Sequence, residues 1–131
     1  MEQTEIYGLT NGNEVSFINE SRDTRHGFMH ACSLIVNGNE VSCGKCYYLN
    51  RTWETYRYQS CMHVAVQNHL DALISTLTQT FKAQNGYKII TSNRKQALKE
   101  VLDGNIDVMA YRQLLNAIDK QSGYAVQWYR Q

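Results

Sequence analysis

An antiparallel sheet of about four strands followed by helices, an α+β fold, is what this chain of 131 residues predicts. The hexapeptide Asn11-Gly12-Asn13-Glu14-Val15-Ser16 returns as Asn37-Gly38-Asn39-Glu40-Val41-Ser42. Each Asn-Gly pair supplies the positive φ angles of a two-residue hairpin turn, and each is followed by alternating strand-like residues. Downstream, the apolar period changes from two to alternating steps of three and four, the signature of an amphipathic helix. Proline is absent, so every turn must be made by Gly, Asn, Asp and Ser.

Taken in order, the first hairpin pairs residues 6–10 with 15–19, and the second pairs 28–36 with 41–53. Residues 19–27, which include Arg22, Arg25 and His26, read as a polar loop between them. From Tyr58 through Cys61, Met62, Ala65, Val66, His69, Leu70, Leu73, Ile74 and Leu77 to Phe81 runs a helical stripe. This helix is expected to open near Thr55 and to stop at Asn85-Gly86, a left-handed cap. At about 27 residues it is roughly 40 Å long. That exceeds what a small sheet can cover, so part of the stripe is expected to pack on another subunit. Residues 87–91 read as a short strand, and Asn93 with Gln96 has capping-box spacing. A helix over 94–103 would turn Ala97, Leu98, Val101 and Leu102 inward before Gly104 ends it. The next, over 107–121, would bury Ile106, Met109, Ala110, Leu114, Leu115 and Ile118. Residues 124–130 alternate as a final strand, with Tyr124, Val126, Trp128 and Arg130 on one side. The length suits a single domain over 1–131.

Thirteen basic against twelve acidic residues leave a net charge of +1. No global field would hold such a protein on nucleic acid or on an anionic membrane, so nucleic acid is not an expected partner and any anion site must be local. The most apolar segment, 61–77, is interrupted by His63, Gln67, Asn68, His69 and Asp71, which excludes a membrane span. The first residues show no export signal, which points to a reducing cytoplasm and to thiols at Cys32, Cys43, Cys46 and Cys61.

Cys43-Gly44-Lys45-Cys46 has metal-knuckle spacing, and Cys32, Cys61, His26, His30 or His63 could complete a zinc tetrahedron. On a continuous strand, however, residues three apart point to opposite faces, and the expectation is no metal and no cofactor. Nor does any nucleophile and base announce itself. Ser60 or Cys61 could be matched with His63 only by nearness in sequence, and Glu54, Asp71 and Asp107 show no paired arrangement. The chain is therefore expected not to be an enzyme. The two helices around Asp103-Gly104-Asn105 have the size of a helix-turn-helix, with Tyr111, Arg112, Gln113, Asn116 and Lys120 as possible readers. A DNA-binding regulator is one alternative, although a basic excess is missing and a solvated helical hairpin reads as well.

Residues 47–58 hold five aromatic side chains, Arg51, Arg57 and Glu54. Aromatic faces and guanidinium planes are the parts that hold a base and a phosphate, although aromatics in strands also serve as core or cross-strand pairs. Arginines recur at the ends of elements, at Arg51, Arg57, Arg94, Arg112 and Arg130. At a helix start, free N–H groups and the positive dipole end reinforce an anion site. With Trp53, Tyr56 and Phe81, they suggest a small anionic aromatic ligand such as a nucleotide.

The stretch Tyr47-Tyr-Leu-Asn-Arg-Thr-Trp-Glu-Thr-Tyr-Arg-Tyr-Gln-Ser, entered from a hairpin and leading into a long helix, resembles small accessory proteins of bacteriophages. Within that set, the order of elements over residues 28–115 is similar to the first family of Thoeris anti-defence proteins. The resemblance implies a sponge in the host cytoplasm that sequesters the cyclic ADP-ribose signal of a TIR-domain enzyme without degrading it. It also implies a homo-oligomer, in some members with a separate site for cyclic oligonucleotides. On chemical grounds, Trp53, Arg57 and Phe81 would stack the base, Arg57, Arg94 and Arg112 would meet phosphates, and Asn93 would read an edge. The alternative within phage biology is an inhibitor of a nuclease or CRISPR effector acting by direct protein contact, for which acidic mimicry would be expected.

Overall fold

The computed structural model describes residues 2–48, 59–85, 91–120 and 127–130. Strands β1 (Glu2–Gly8), β2 (Glu14–Thr24), β3 (Gly27–Val36) and β4 (Asn39–Tyr48) are followed by helices α1 (Gln59–Asn85), α2 (Thr91–Asp103) and α3 (Ile106–Lys120) and by strand β5 (Gln127–Arg130). The architecture is the expected α+β, with one strand more in the sheet than the two hairpins supply. β5 adds to the outer side of β1, giving the antiparallel order β4-β3-β2-β1-β5. The segment expected as a strand over 87–91 lies outside the described residues except for Thr91, which begins α2.

The two Asn-Gly turns differ. At Asn37-Gly38 both residues have positive φ (49° and 88°), as a two-residue turn of primed type requires. At the first turn only Gly12 does, at 88°. There Gly12 N–H donates to the Leu9 carbonyl at 3.0 Å and Leu9 N–H donates to the Asn13 carbonyl at 2.8 Å, a three-residue loop closed by a glycine bulge. The echoed hexapeptides meet at one end of the sheet. Asn37 Nδ2 donates to Asn13 Oδ1, and Glu14 N–H donates to Asn37 Oδ1, both at 3.0 Å.

No polar loop divides the hairpins. β2 and β3 pair continuously down to Thr24 opposite Gly27, so the four strands form one meander. The reason is that alternation does not stop at Asn19; its inward positions simply become polar. Val15, Phe17 and Asn19 on β2, with Phe28, His30, Cys32 and Leu34 on β3, form a buried face.

α1 and α3 cover that face. The core joins Tyr7, Val15, Phe17 and Leu34 to Cys61, Met62, Ala65, Val66 and Leu70 of α1 and to Val108, Tyr111, Leu114 and Ile118 of α3. Gly44 explains how close α1 comes. A Cβ there would lie 2.3 Å from the Cys61 carbonyl oxygen and 2.9 Å from Ala65 N, so only glycine lets the helix settle on β4. Ser42 Oγ seals the contact by donating to the Ala65 carbonyl at 2.6 Å, and Asn68 Nδ2 donates to the Cys43 carbonyl at 3.1 Å.

Beyond Leu70 the packing thins. Leu73, Ile74 and Leu77 are only partly buried. The expected inward face of α2 is not buried: Ala97, Leu98 and Leu102 are half-covered and Val101 is exposed. α3 departs from expectation only in part. Ala110, Leu114, Leu115 and Ile118 are buried as expected, but apolar residues surround more than half the helix, and the core also takes Val108 and Tyr111 while Ile106 and Met109 are left in solvent. α2 begins at Thr91, which makes Asn93 a first-turn residue rather than a cap. Three cap-type residues in a row, Thr91-Ser92-Asn93, leave that start ambiguous in sequence.

Candidate functional site

Trp53 and Arg57 lie outside the described residues, in the stretch that leaves β4 after Tyr48 and enters α1 at Gln59. Phe81 is buried on the last turns of α1, apart from the main core. Asn93 is exposed and Arg94 half-buried, both at the start of α2. The first backbone N–H groups of a helix have no partner inside it, so Arg94 stands where the backbone already favours an anion. Arg112 is exposed on α3, with Nη1 3.4 Å from Asp103 Oδ1. Asp103 lies nine residues beyond Arg94, a rise of roughly 14 Å along the helix. Asn93 and Arg94 are thus neighbours, and Arg112 is held toward the opposite end of α2.

Sequence reasoning missed a polar layer on the inner face of the sheet. Asn19 stands opposite Cys32, Ser21 opposite His30, and His30 opposite Cys46. Asn19 is 0% exposed, and neither its Oδ1 nor its Nδ2 has a hydrogen-bond partner among the described residues. A buried amide left so costs about 1–3 kcal/mol for each group. His30 is buried beside Phe28, ring centroids 5.2 Å apart, and its carbonyl accepts from Cys61 Sγ at 3.3 Å. Buried Glu5 accepts from the Tyr7 hydroxyl at 3.2 Å and stands opposite Arg130 in the β1–β5 register. This layer adjoins the strand ends from which the aromatic and arginine-rich stretch departs, since Tyr48 pairs with Phe28. The signal was present in the sequence: Asn19 continues the spacing of Val15 and Phe17, and His30 that of Phe28 and Cys32.

The cysteines are four free thiols. Cys46 shares the inner face with His30, whereas Cys43, three residues earlier on the same continuous strand, is exposed. The two thiols thus lie on opposite faces of the strand, and among the described residues there is no group of three or more His, Cys, Asp or Glu side chains that could hold a metal ion. Burial pushes the Cys32 thiol up from its ordinary value. Burial, then the neighbouring Cys46 thiol, does the same for Cys61. Thiols held protonated in this way are poor nucleophiles.

At the other end, the first hairpin turn grips α3. Asn11 Nδ2 donates to Asp107 Oδ1 at 2.6 Å, and Thr10 Oγ1 donates to Gln113 Oε1 at 3.2 Å. His69 of α1 meets Tyr111 edge to face, with centroids 4.7 Å apart. Burial lowers the His69 pKa, partly opposed by the Asp107 charge. Burial pushes Tyr111 up to about 12, with the Asp107 charge adding and a hydrogen bond with Asn13 opposing. Tyr111, Gln113 and, through Asp103, Arg112, three of the five residues that a helix-turn-helix would present to bases, are thus engaged within the chain. Among the described residues no helix is long and apolar enough to cross a membrane. No protein-family model, curated protein or solved structure matches this chain.

Proposed function

We propose that the protein captures a small anionic aromatic ligand, a cyclic nucleotide signal of the cyclic ADP-ribose type, and holds it without degrading it. It would act in this way as a phage anti-defence protein in the host cytoplasm, and as a homo-oligomer. The observation that carries this reading is the stretch 47–58, in which five aromatic rings, Arg51, Arg57 and a single carboxylate are crowded between a strand and a long helix. Rings and guanidinium planes stack a base, and arginines fork onto phosphates. Arg94 in the first turn of α2 supports the reading, because its charge adds to a backbone already suited to an anion. Phe81 and Asn93 are the other described members of the proposed set, and the position of Arg112 near the far end of α2 gives it a peripheral part. Capture at nanomolar strength requires about 12 kcal/mol, which demands an enclosed site with charge-assisted hydrogen bonds. Enclosure between subunits would meet that demand, and the partly covered Leu73, Ile74 and Leu77 of α1 offer the surface for it.

The test is to purify the protein from cells that make a cyclic ADP-ribose signal, denature it by heat, and identify what is released. Unchanged nucleotide is the expected result. Arg57→Ala should abolish capture with the fold intact, Arg112→Ala should weaken it less, and Arg22→Ala should do little. A degraded nucleotide would mean an enzyme, and an empty protein would move the weight to an inhibitor working by protein contact.

A further inference from the structure

Asn19 interrupts an apolar face that its neighbours build. Val15, Phe17 and Asn19 follow one another on the inner side of β2, all 0% exposed. The cross-strand partner of Asn19, Cys32, is buried too, and neither Oδ1 nor Nδ2 of the amide has a hydrogen-bond partner among the described residues. Leucine, of similar size, would complete the face without leaving a buried donor and acceptor unpaired. An amide kept there against stability is the kind of local cost that belongs to a functional site. Asn19 also stands close to both ends of the aromatic and arginine-rich stretch. Its row runs through Cys32 to Gly44, two strand spacings or about 10 Å away. At Gly44 the first turn of α1 touches down, with the Cys61 carbonyl against it. The first N–H groups of a helix have no partner inside it, and this turn has no carboxylate of its own to meet them. Two inward positions further along the strands, Phe28 pairs with Tyr48, from which the stretch departs.

We propose that Asn19 reads the base of the captured nucleotide, its amide pairing with the amino group and ring nitrogen of an adenine edge while the phosphates lie toward the start of α1. The amide sets an acceptor and a donor side by side. The matching edge sets a donor beside an acceptor, as adenine does at N6 and N7. In a cyclic ADP-ribose the second ribose occupies the adenine nitrogen that pairs in a double helix, which leaves the N6 and N7 edge for a protein to read. Resting on the nucleotide reading above, this role gives the site a specificity-determining residue outside the stretch 47–58, and it moves edge reading from exposed Asn93 to a dry position. Dryness makes the reading selective. A ligand without the matching edge leaves the buried amide unpaired, whereas at an exposed amide water takes the ligand's place. Full burial also means that the ligand must displace whatever covers Asn19 and ends up enclosed, as capture at nanomolar strength demands.

A change in the ligand and a change in the protein test it together. Titration calorimetry of the unaltered chain with cyclic ADP-ribose and with its hypoxanthine counterpart, in which an oxygen replaces the amino group, should find the adenine form bound at least roughly tenfold more tightly. Asn19→Leu should lose that preference and bind the adenine form at least roughly tenfold more weakly. Without ligand, Asn19→Leu should melt at or above the temperature of the unaltered chain, since an unpaired buried amide gives way to an apolar side chain of similar size. A marked fall in melting temperature would show an amide satisfied within the fold and overturn the base-reading role. An unaltered chain that holds both nucleotides equally well, or a variant that keeps affinity and preference, would overturn it while leaving nucleotide capture standing. If the unaltered chain binds neither nucleotide, the nucleotide reading itself has failed and the role of Asn19 falls with it.

Discussion

The first half of α1 and the last half of the same helix are built from similar residues and fare differently. Cys61, Met62, Ala65, Val66 and Leu70 are buried on β3, β4 and α3, whereas Leu73, Ile74 and Leu77 remain partly open. The difference is not one of hydrophobicity. A helix of 27 residues outruns the sheet beneath it, and among the described residues only α2, itself without a buried described side chain, lies beyond. Burial thus depends on what the topology places opposite a stripe, and the partly covered Leu73, Ile74 and Leu77 are where self-association is proposed.

Three measurements break or sharpen this contrast. The largest effect should come from Gly44→Val, because its Cβ would meet the Cys61 carbonyl oxygen at 2.3 Å, and neither backbone can retreat without lifting α1 off the sheet. A loss of about 3 kcal/mol or more in urea denaturation, or failure to fold, is expected, at or beyond the upper end of ordinary overpacking. Leu114→Ala against Leu98→Ala compares the two regions with one chemical change. Leu114 is fully buried and should cost about 2–5 kcal/mol. Half-exposed Leu98 should cost under about 1 kcal/mol in dilute monomer, and equal losses would show that α2 is packed as well as the core.

The smallest effect is on pH dependence. Tyr111 in the folded chain keeps its proton up to about 12, above the usual value of 10.0. The folded state then binds more protons than the unfolded chain, so this contribution is complete below the usual tyrosine range and is lost as pH rises through about 12. His69 has the opposite sense. Its lowered pKa favours the neutral ring in the fold, so its contribution is present above the usual histidine range and fades as pH falls through the lowered value. Melting temperature should therefore drop at both extremes. Tyr111→Phe should flatten the alkaline limb and His69→Phe the acid limb, and unchanged limbs would remove these groups as the cause.

Much of the fold was legible in local pattern. Asn37-Gly38 names its own turn because both residues need positive φ, and α1 follows from a stripe sustained over seven turns. Strand continuity through Asn19 to Thr24 was not legible. An inward polar residue looks like a loop residue until its cross-strand partner is known, and that partner, Cys32, lies in another strand. The polar layer of Asn19 and His30 left a signal in their spacing with Val15, Phe17, Phe28 and Cys32, but only the cross-strand register shows that these positions stay inward. Of the candidate site, the residue types and their crowding at 47–58 could be read directly, but which arginines share a helix end could not. That depends on where α2 starts, and on the Asp103 contact that draws Arg112 to its far end.

By itself the sequence determined the periods, the turn chemistry, the near-neutral charge and the inventory of rings and guanidinium groups, because these are properties of neighbours along the chain. Tertiary structure decided the rest. It placed β5 beside β1, turned Val108 and Tyr111 inward while leaving Ile106 and Met109 outside, and made Gly44 the contact point for a helix. A helix with apolar residues around most of its circumference cannot say which side it will bury. A glycine between two cysteines cannot say what will come to rest against it. Both are settled only when a distant segment arrives, since burial and close approach are properties of pairs that the chain brings together on folding.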